Sequence, residues 1–239
     1  MILIQMFFGG LKVNKPNYLD LLAQYNIDNA HPGGLALTKT LLAREKLLSD
    51  TVLLDVGCGT GQTALFIAKH YPCRVIAVDL SRKMLDKAEH KFAQAGLTIP
   101  LLRANAMNLP FRKGSFDIVL AESVTIFTEN ASRTLREYHR VLKPGGVLLA
   151  VEGTSLQPLE KYEARELKET LGITFLPTKE EWCQMIRDVG FSNVKVLYQQ
   201  RMGWMGAFPS EIAEVFHEYR NIMFRHRKKF GFGVYRCVS

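Results

Sequence analysis

Residues Val52–His70, VLLDVGCGTGQTALFIAKH, decide the fold of this chain. The stretch begins with an apolar run interrupted only by Asp55, which predicts a strand buried on both faces. Gly57, Gly59 and Gly61 follow at alternate positions, and glycine permits a positive φ and the close approach of a ligand to the backbone. The apolar residues after Gly61 then predict a buried helix. A strand, a glycine turn and a helix are together typical of a nucleotide-binding unit, with the helix N-terminus directed at the ligand.

The spacing of the glycines distinguishes between ligands. A dinucleotide fingerprint, GxGxxG, needs a third glycine where this chain has Gln62, which disfavours a nicotinamide dehydrogenase. The chain has GxGxG instead, and the segment DVGCGTG, with Cys58 and Thr60, resembles the first motif of class I S-adenosylmethionine (SAM) dependent methyltransferases. The resemblance implies SAM as the cofactor. It also implies that the cofactor is bound by Asp55, Gly57, Cys58, Gly59 and Gly61.

The resemblance covers roughly residues 53–199. It implies an α/β fold with a Rossmann-like, doubly wound sheet of seven strands in the order 3-2-1-4-5-7-6, the last strand antiparallel and helices on both faces. We expect a single methyltransferase domain over residues 1–239. Its expected parts are an N-terminal helical lid (1–48), a SAM-binding core (49–152) and a C-terminal part with substrate-side helices and the last two strands (153–239).

Residues 15–48 show helical spacing that is interrupted by HPGG at 31–34. Proline is poor inside a helix and the glycine pair allows a turn, so we expect two helices, the second extending to Leu48. A lid with a glycine hinge and a pair of helices packed on the sheet are equally compatible with this pattern.

The segment CRVIAVDLS (73–81) predicts a second buried strand that ends in Asp79. A carboxylate at this position can accept hydrogen bonds from both ribose hydroxyls of an adenosine cofactor. Ser81 is the better N-cap for the helix that follows. The resemblance implies that Leu80 and Met84 flank the adenine and ribose, with core packing as the alternative for Met84.

A third strand (98–104) leads into NAMNLPF, where the resembling family usually has an aspartate that accepts a hydrogen bond from the adenine amine. This chain has Asn105, whose amide carbonyl can accept the same bond without the charge. The resemblance also implies that Ala106 offers its backbone N–H to the adenine ring.

The fourth strand, GSFDIVLAES (114–123), places Glu122 and Ser123 at its carboxyl end, where open α/β sheets bind ligands. Glu122 is therefore expected to reach the methionine part of the cofactor or the acceptor, with an ion pair at the strand end as the alternative. The resemblance implies a structural role for Asp117.

The remainder of the chain predicts further regular elements, and the match to the family loosens beyond Glu152. We expect helices over 129–143, 157–171 and 210–229, a capped helix start at Thr178, a strand over 190–200 and an antiparallel last strand at the C-terminus.

The net charge of +8 raises the question of a nucleic-acid partner. Half of it lies in residues 201–239, where seven Lys or Arg residues face three Glu residues. The cluster Arg225, Arg227, Lys228 and Lys229 falls at a predicted helix end, where cations are favoured by the helix dipole. A solvated helix end is favoured over a nucleic-acid site.

Four scattered cysteines show neither a CxxC pair nor a zinc spacing, which indicates reduced thiols in a cytoplasmic protein and no metal site. The apolar run at the N-terminus, MILIQMFF, is too short for a signal peptide. It predicts an early strand or a segment packed on the domain, with a dimer contact as the alternative. We expect no membrane span. A monomer and a homodimer both remain open.

These observations predict the transfer of a methyl group from SAM to a small-molecule acceptor. The resemblance is nearest to the broad group that includes the ubiquinone and menaquinone C-methyltransferases. A neutral acceptor would need a base, and the candidates are His31, Tyr25 and Glu122, of which His31 has an unperturbed pKa near neutrality. An RNA or protein methyltransferase and a SAM-binding protein without activity are the alternatives.

Overall fold

A computed structural model describes residues 17–202 and 210–239 of the chain. The apolar N-terminal segment MILIQMFF lies outside the described residues. No helix in the described ranges combines the length and the apolarity that crossing a bilayer requires.

Helices and strands alternate through most of the chain. The helices are α1 (Tyr18–Gln24), α2 (Gly34–Leu42), α3 (Gln62–His70), α4 (Arg82–Gln94), α5 (Ala131–Val141), α6 (Lys161–Leu171), α7 (Lys179–Asp188), α8 (Ser210–Ala213) and α9 (His217–Arg225), with a 3-10 turn at Thr125–Phe127. The strands are β1 (Val52–Val56), β2 (Arg74–Asp79), β3 (Leu101–Arg103), β4 (Phe116–Glu122), β5 (Leu142–Ser155), β6 (Ser192–Arg201) and β7 (Phe230–Val238).

All seven strands form one sheet in the order β3-β2-β1-β4-β5-β7-β6. The pairs among β1 to β5 are parallel, whereas β7 is antiparallel to both of its neighbours. The predicted fold and strand order are therefore confirmed. The carboxyl ends of β1, β2 and β4 meet at one edge, which is where parallel sheets bind ligands.

Alternate residues of the central strands enter the apolar clusters on the two sides of the sheet. In β1, Leu54 and Val56 belong to one cluster and Leu53 to the other. Leu53 and Leu54 are fully buried, which explains the apolar run in the sequence. Burial on both faces holds the strand ends at the ligand edge in fixed positions.

Asp117 of β4 links β1 and β5 at the end of the sheet opposite the carboxyl ends of the parallel strands. Its carboxylate accepts hydrogen bonds from the backbone N–H of Val52 and from Lys143 Nζ, both at 2.8 Å. Partial burial opposes ionisation, but the bonds from Lys143 and Val52 outweigh it and hold the pKa of Asp117 below its ordinary value. The geometry accords with the structural role expected for Asp117.

Three elements differ from the sequence predictions. Helix α2 ends at Leu42, so Leu48 lies beyond it and is 58% exposed. Strand β3 keeps only three of the seven predicted residues, because only these pair with β2. The helix predicted over 210–229 is divided into α8 and α9 by a turn that buries Phe216 fully, with its ring edge-on to that of Tyr18.

Candidate functional site

The glycine bend after β1 is open on the side where a ligand would lie. Gly57 and Gly59 have φ values of +67° and +54°, in the left-handed region. A Cβ at Gly57 would lie 2.5 Å from Val124 Cγ2, whereas one at Gly59 would meet nothing within 4 Å. The bend therefore leaves free space above Gly59.

The third glycine of the motif has a different role. A Cβ at Gly61 would lie 2.7 Å from Ala88 Cβ and 2.8 Å from the ring of Phe92. Gly61 thus allows α3 to pack closely on α4, and it does not line the cavity described below. Its contribution to a cofactor site is the placement of the α3 N-terminus.

Asp79 lies at the end of β2 and faces the bend. Its Oδ2 accepts the Gly59 N–H at 2.9 Å, and its Oδ1 accepts the Ser81 N–H at 2.8 Å. Burial raises the pKa of Asp79, and the bonds from Ser81, Gly59 and Leu80 partly offset this rise. Each oxygen keeps a lone pair for a further donor. Ser81 also caps α4, as predicted.

A cavity of about 550 Å³ opens at this edge of the sheet. It brings together most of the residues that the sequence pointed to, although they come from five separate segments. The predicted residues that line it are His31, Asp55, Gly57, Cys58, Gly59, Asp79, Leu80, Met84, Asn105, Ala106, Glu122 and Ser123.

Asn105 uses its amide oxygen locally. The Oδ1 atom accepts the Met107 N–H at 2.9 Å and so holds the turn that follows β3. Leu80 is 58% exposed beside the cavity, whereas Met84 is 8% exposed and also belongs to the core. Leu80 is therefore free to cover a flat ligand, and Met84 serves packing as well as lining.

Helix α1 and the segment after it lie over the cavity and are fastened to the glycine bend. The carboxylate of Asp28 accepts hydrogen bonds from the Thr60 hydroxyl and, at 2.5 Å, from Lys91 Nζ. Lys91 also reaches Gln62 Oε1 at 3.2 Å. This contact joins the N-terminal cover to both the bend and α4.

Asp55 interacts with two other carboxylates at this edge of the sheet. Asp55 is 3% exposed, and its Oδ2 has no hydrogen-bond partner. Burial raises the pKa of Asp55 well above its ordinary value, and repulsion from Glu122 and Asp79 adds to the rise. A cationic group in the cavity would relieve this repulsion.

Glu122 is held from two sides by hydroxyl groups. Thr38 of α2 donates to Oε1 at 2.7 Å, and Thr63 of α3 donates to Oε2 at 3.1 Å. His31 Nε2 lies 3.4 Å from Oε2, and both side chains are 6% exposed. Glu122 thus contacts His31 inside the cavity, in addition to the two hydroxyl groups.

The orientation of His31 defines the role of each ring nitrogen. Nδ1 lies 3.2 Å from the carbonyl oxygen of Pro32, which can only accept, so this nitrogen carries a proton when the bond forms. Nε2 is buried and lacks a hydrogen-bond partner. In the neutral ring, Nε2 is therefore the nitrogen that can accept a proton, and Glu122 is placed to stabilise the resulting cation.

The third base candidate lies elsewhere. Tyr25 is not a lining residue of the cavity, and its ring packs against Phe216 with centroids 6.1 Å apart. Its position after α1 makes it part of the aromatic contact between the N-terminal cover and α9. Sequence spacing alone could not separate this packing position from a site position.

Glu152 at the end of β5 supports the turn after β4. Its Oε1 accepts the backbone N–H groups of Thr125 at 2.9 Å and Val124 at 3.3 Å. Burial raises the pKa of Glu152 to about 7, although the bonds from Thr125 and Val124 lower it. Glu152 therefore fixes the turn through which Ser123 and Val124 reach the cavity.

This burial gives a testable pH dependence. Because the folded chain holds the Glu152 proton up to about pH 7 and the unfolded chain releases it near pH 4.5, stability falls as the pH rises between these values. The free energy of unfolding of the wild type should fall by about 3 kcal/mol relative to Glu152→Gln between pH 4.5 and 8. Urea titrations of both proteins measure this. The difference isolates Glu152 from Asp55 and Asp79, whose raised pKa values act in the same direction, and parallel curves would contradict it.

The open face of Gly59 gives a second prediction. In Gly59→Ala the new methyl group enters the free space above the bend, so SAM affinity should fall by at least about tenfold, as expected when a site loses about 1.4 kcal/mol. Gly145→Ala is the matched control, because Gly145 also has a positive φ, +78°, and open space, but lies outside the cavity lining. Both variants should lose about 1 kcal/mol of stability. Calorimetry should find weakened binding only in Gly59→Ala, and equal affinities would show that nothing occupies the bend.

Comparisons with known proteins agree with this geometry. The family described as "Methyltransferase domain" matches residues 54–150, which run from β1 into β5. A Bacillus subtilis (strain 168) protein, the uncharacterized methyltransferase YodH, is 39% identical over 180 residues, which cover 75% of this chain and 76% of that protein. The chain belongs to the methyltransferase family. Its resemblance to the class I SAM-dependent enzymes is thereby confirmed, and its cofactor is SAM.

Other relatives of this methyltransferase extend the comparison. A demethylmenaquinone methyltransferase of Lactococcus lactis is 33% identical over 191 residues, covering 70% of this chain and 74% of the relative. Among solved structures, Haemonchus contortus phosphoethanolamine N-methyltransferase 2 has a TM-score of 0.76 at 18% identity, covering 92% of this chain and 56% of that one. That second likeness shows the shared fold.

The residues of the methyltransferase fit SAM. The open space above Gly59 accommodates a ligand against the backbone, and the free lone pairs of Asp79 suit ribose hydroxyls. The unpartnered Oδ2 of Asp55 suits a donor or a cation nearby. The space above Gly59 is not filled by any side chain of the described residues.

The sequence analysis missed several residues that shape this site. Thr63 could have been predicted, because it stands in the first turn of α3, directly after the glycine motif. No local sequence pattern pointed to Thr38, Asp28 or Lys91, because the packing of α1, α2 and α4 brings each of them to the site from a distant segment.

Proposed function

We propose that this methyltransferase transfers the methyl group of SAM to a small-molecule acceptor held under α1. The observation that carries the proposal is a single cavity that runs from the open glycine bend to the His31–Glu122 pair. We assign the adenosine to Asp79, Leu80, Met84, Asn105 and Ala106. We assign the methionine end to Asp55, Gly57, Cys58, Gly59, Glu122 and Ser123, with Gly61 positioning α3.

SAM supplies an activated methyl group on a sulfonium, so the protein need contribute mainly alignment and the exclusion of water. The N-terminal cover serves both purposes. Tyr18, Leu22 and Ile27 line the cavity from above, and the contact of Asp28 with Lys91 fixes the cover in place. This enclosure favours a small acceptor over RNA or a protein.

His31 acts as the general base for an acceptor that must lose a proton. The Pro32 carbonyl oxygen accepts a hydrogen bond from Nδ1–H, which leaves the lone pair of Nε2 inside the cavity. Glu122, 3.4 Å away, stabilises the imidazolium that forms. Thr38 and Thr63 keep the Glu122 carboxylate in place.

Two measurements test the proposal in turn. Calorimetry with SAM and with NAD should show binding of SAM alone. SAM labelled in its methyl group is then incubated with the protein and the small-molecule fraction of a cell extract, and label should appear in a new small molecule. SAM binding without any transfer would instead support a binding protein without activity, and transfer to RNA or protein would overturn the small-molecule acceptor.

The remaining assignments belong to this proposal. We propose a single methyltransferase domain over residues 1–239, located in the cytoplasm, as a monomer or a homodimer. The four cysteines are free and buried, which suits a reducing compartment. Arg225 pairs with Glu166, and Lys229 pairs with Glu163 at 2.6 Å, so part of the basic cluster is neutralised within the fold. This pairing disfavours a nucleic-acid partner.

A further inference from the structure

The lining of the cavity is acidic although the chain is basic. Among the residues that the structure describes, neither lysine nor arginine lines it. The acidic lining residues are Asp20, Asp55, Asp79, Glu122 and Glu129. The chain as a whole has a net charge of +8, so the cavity has the sign opposite to that of the protein around it.

Some described cations contact lining residues without lining the cavity themselves. Lys91 is bound by Asp28 at 2.5 Å, and Arg133 Nε donates to the carbonyl oxygen of Met107 at 2.9 Å. Lys91 is thus already paired with a carboxylate, and Arg133 is exposed on the surface, so neither presents a buried, unpaired cation to a phosphate or carboxylate in the cavity. An anion bound there would lose its hydration and gain no described counter-charge.

The charge of the cofactor does not offset the negative charge of the acidic lining. SAM carries a sulfonium, an ammonium and a carboxylate, which gives a net charge of one positive unit, and it faces several carboxylates. Five acidic residues line the cavity, so the one positive unit of SAM leaves no surplus counter-charge for an anionic acceptor.

The part of the cavity beneath the N-terminal cover is largely apolar. Its apolar and aromatic lining residues are Tyr18, Leu19, Leu22, Ile27, Val124 and Phe127. His31 Nε2 enters this region with no hydrogen-bond partner, on a side chain that is 6% exposed. A buried, unpartnered nitrogen in an apolar chamber is suited to a hydroxyl or amine carried on an apolar body.

We propose that the acceptor is an apolar hydroxyl or amine compound without negative charge, and that the acidic lining excludes acceptors bearing a phosphate or a free carboxylate. This inference rests on the proposed function and narrows the substrate class of the same site. The acceptor O–H or N–H proton passes to His31 Nε2, the new bond forms from the acceptor atom to the methyl carbon, and S-adenosylhomocysteine leaves with the electron pair of the broken S–C bond.

A charge-resolved screen tests the class directly. The protein is incubated with methyl-labelled SAM and the small-molecule fraction of a cell extract, and the labelled products are separated from SAM and identified by mass. The unmethylated form of each product is then run on an anion-exchange resin at pH 8, which retains negatively charged compounds. We expect products whose acceptors are not retained to carry at least about tenfold more label than products whose acceptors are retained, a preference worth about 1.4 kcal/mol.

A majority of label in products of retained acceptors would overturn the inference while leaving the proposed function intact. Complete absence of transfer would overturn the proposed function, and the inference with it. The two failures are therefore distinguishable in one experiment.

A charge introduced at the cavity gives a second readout. Leu19 lines the cavity from α1 and is 42% exposed, so Leu19→Lys adds a cation with little loss of packing. It should shift label towards retained acceptors by at least about fivefold relative to the neutral Leu19→Gln. Leu48→Lys, at an exposed position outside the lining, controls for net charge and should behave like the wild type. An identical product ratio in Leu19→Lys and Leu19→Gln would count against a role for the cavity charge.

Discussion

Replacing His31 with alanine should lower kcat for the acceptor found by labelling by a factor of about 10² to 10⁴, the range that general bases contribute. The expected loss is large because Nε2 is the proton-accepting atom of a buried ring whose other nitrogen is bound to Pro32. The SAM dissociation constant should remain within about twofold of the wild type, since His31 is not among the residues assigned to the cofactor.

A conservative variant separates a base from a packing residue. His31→Gln keeps much of the size and the polarity of the ring but has no basic nitrogen, so its kcat should fall about as far as that of His31→Ala. Glu122→Gln should also reduce kcat, because the imidazolium loses its neighbouring negative charge.

Tyr25→Phe is the control, because Tyr25 was also a base candidate by sequence but packs on Phe216 outside the cavity lining. It should retain the activity of the wild type. A His31→Ala enzyme with unchanged turnover, or a Tyr25→Phe enzyme that loses it, would refute the assignment.

Replacing Asp79 with alanine should weaken SAM binding by about 100-fold. Two hydrogen bonds to a charged acceptor, each worth about 1.5 kcal/mol or more, would be lost from the ribose. The same change leaves the Gly59 N–H without its partner at 2.9 Å, so the bend also loses its anchor. Calorimetry with SAM measures the affinity, and thermal unfolding measures the accompanying loss of stability.

Asp117→Ala provides the comparison for this variant. Asp117 also accepts a hydrogen bond from a backbone N–H, that of Val52, and it accepts a second one from Lys143 Nζ. It lies at the end of the sheet opposite the cavity. We expect a loss of stability of about 1–3 kcal/mol and no change in SAM affinity. If both variants bound SAM equally well, Asp79 would have no role beyond holding the bend.

Much of the cofactor half of the site could be predicted from local sequence. The motif DVGCGTG and the acid at the end of the next strand are read from segments of a few residues, and parallel strands bring their carboxyl ends to one edge whatever else surrounds them. The strand order followed from the family resemblance, and the structure has the same order. The starts of the helices capped by Ser81 and Thr178 could also be predicted from local sequence, because an N-cap depends on residues only three positions apart.

The acceptor half depended on contacts between distant parts of the chain. Glu122, Thr38 and His31 stand more than 80 residues apart at their extremes, and only the packing of α2 against the end of β4 brings them together. The same packing separates His31 from Tyr25, which local spacing treated alike.

The sequence by itself determined the buried strands, the glycine bend and the acid at the end of β2, because these follow from periodicity and from backbone conformations that only glycine adopts easily. Tertiary structure alone decided which of the candidate bases lines the cavity, which lysine is already paired and what sign of charge the lining residues carry. Those properties arise from distances between side chains on separate elements, and no local pattern contains such distances.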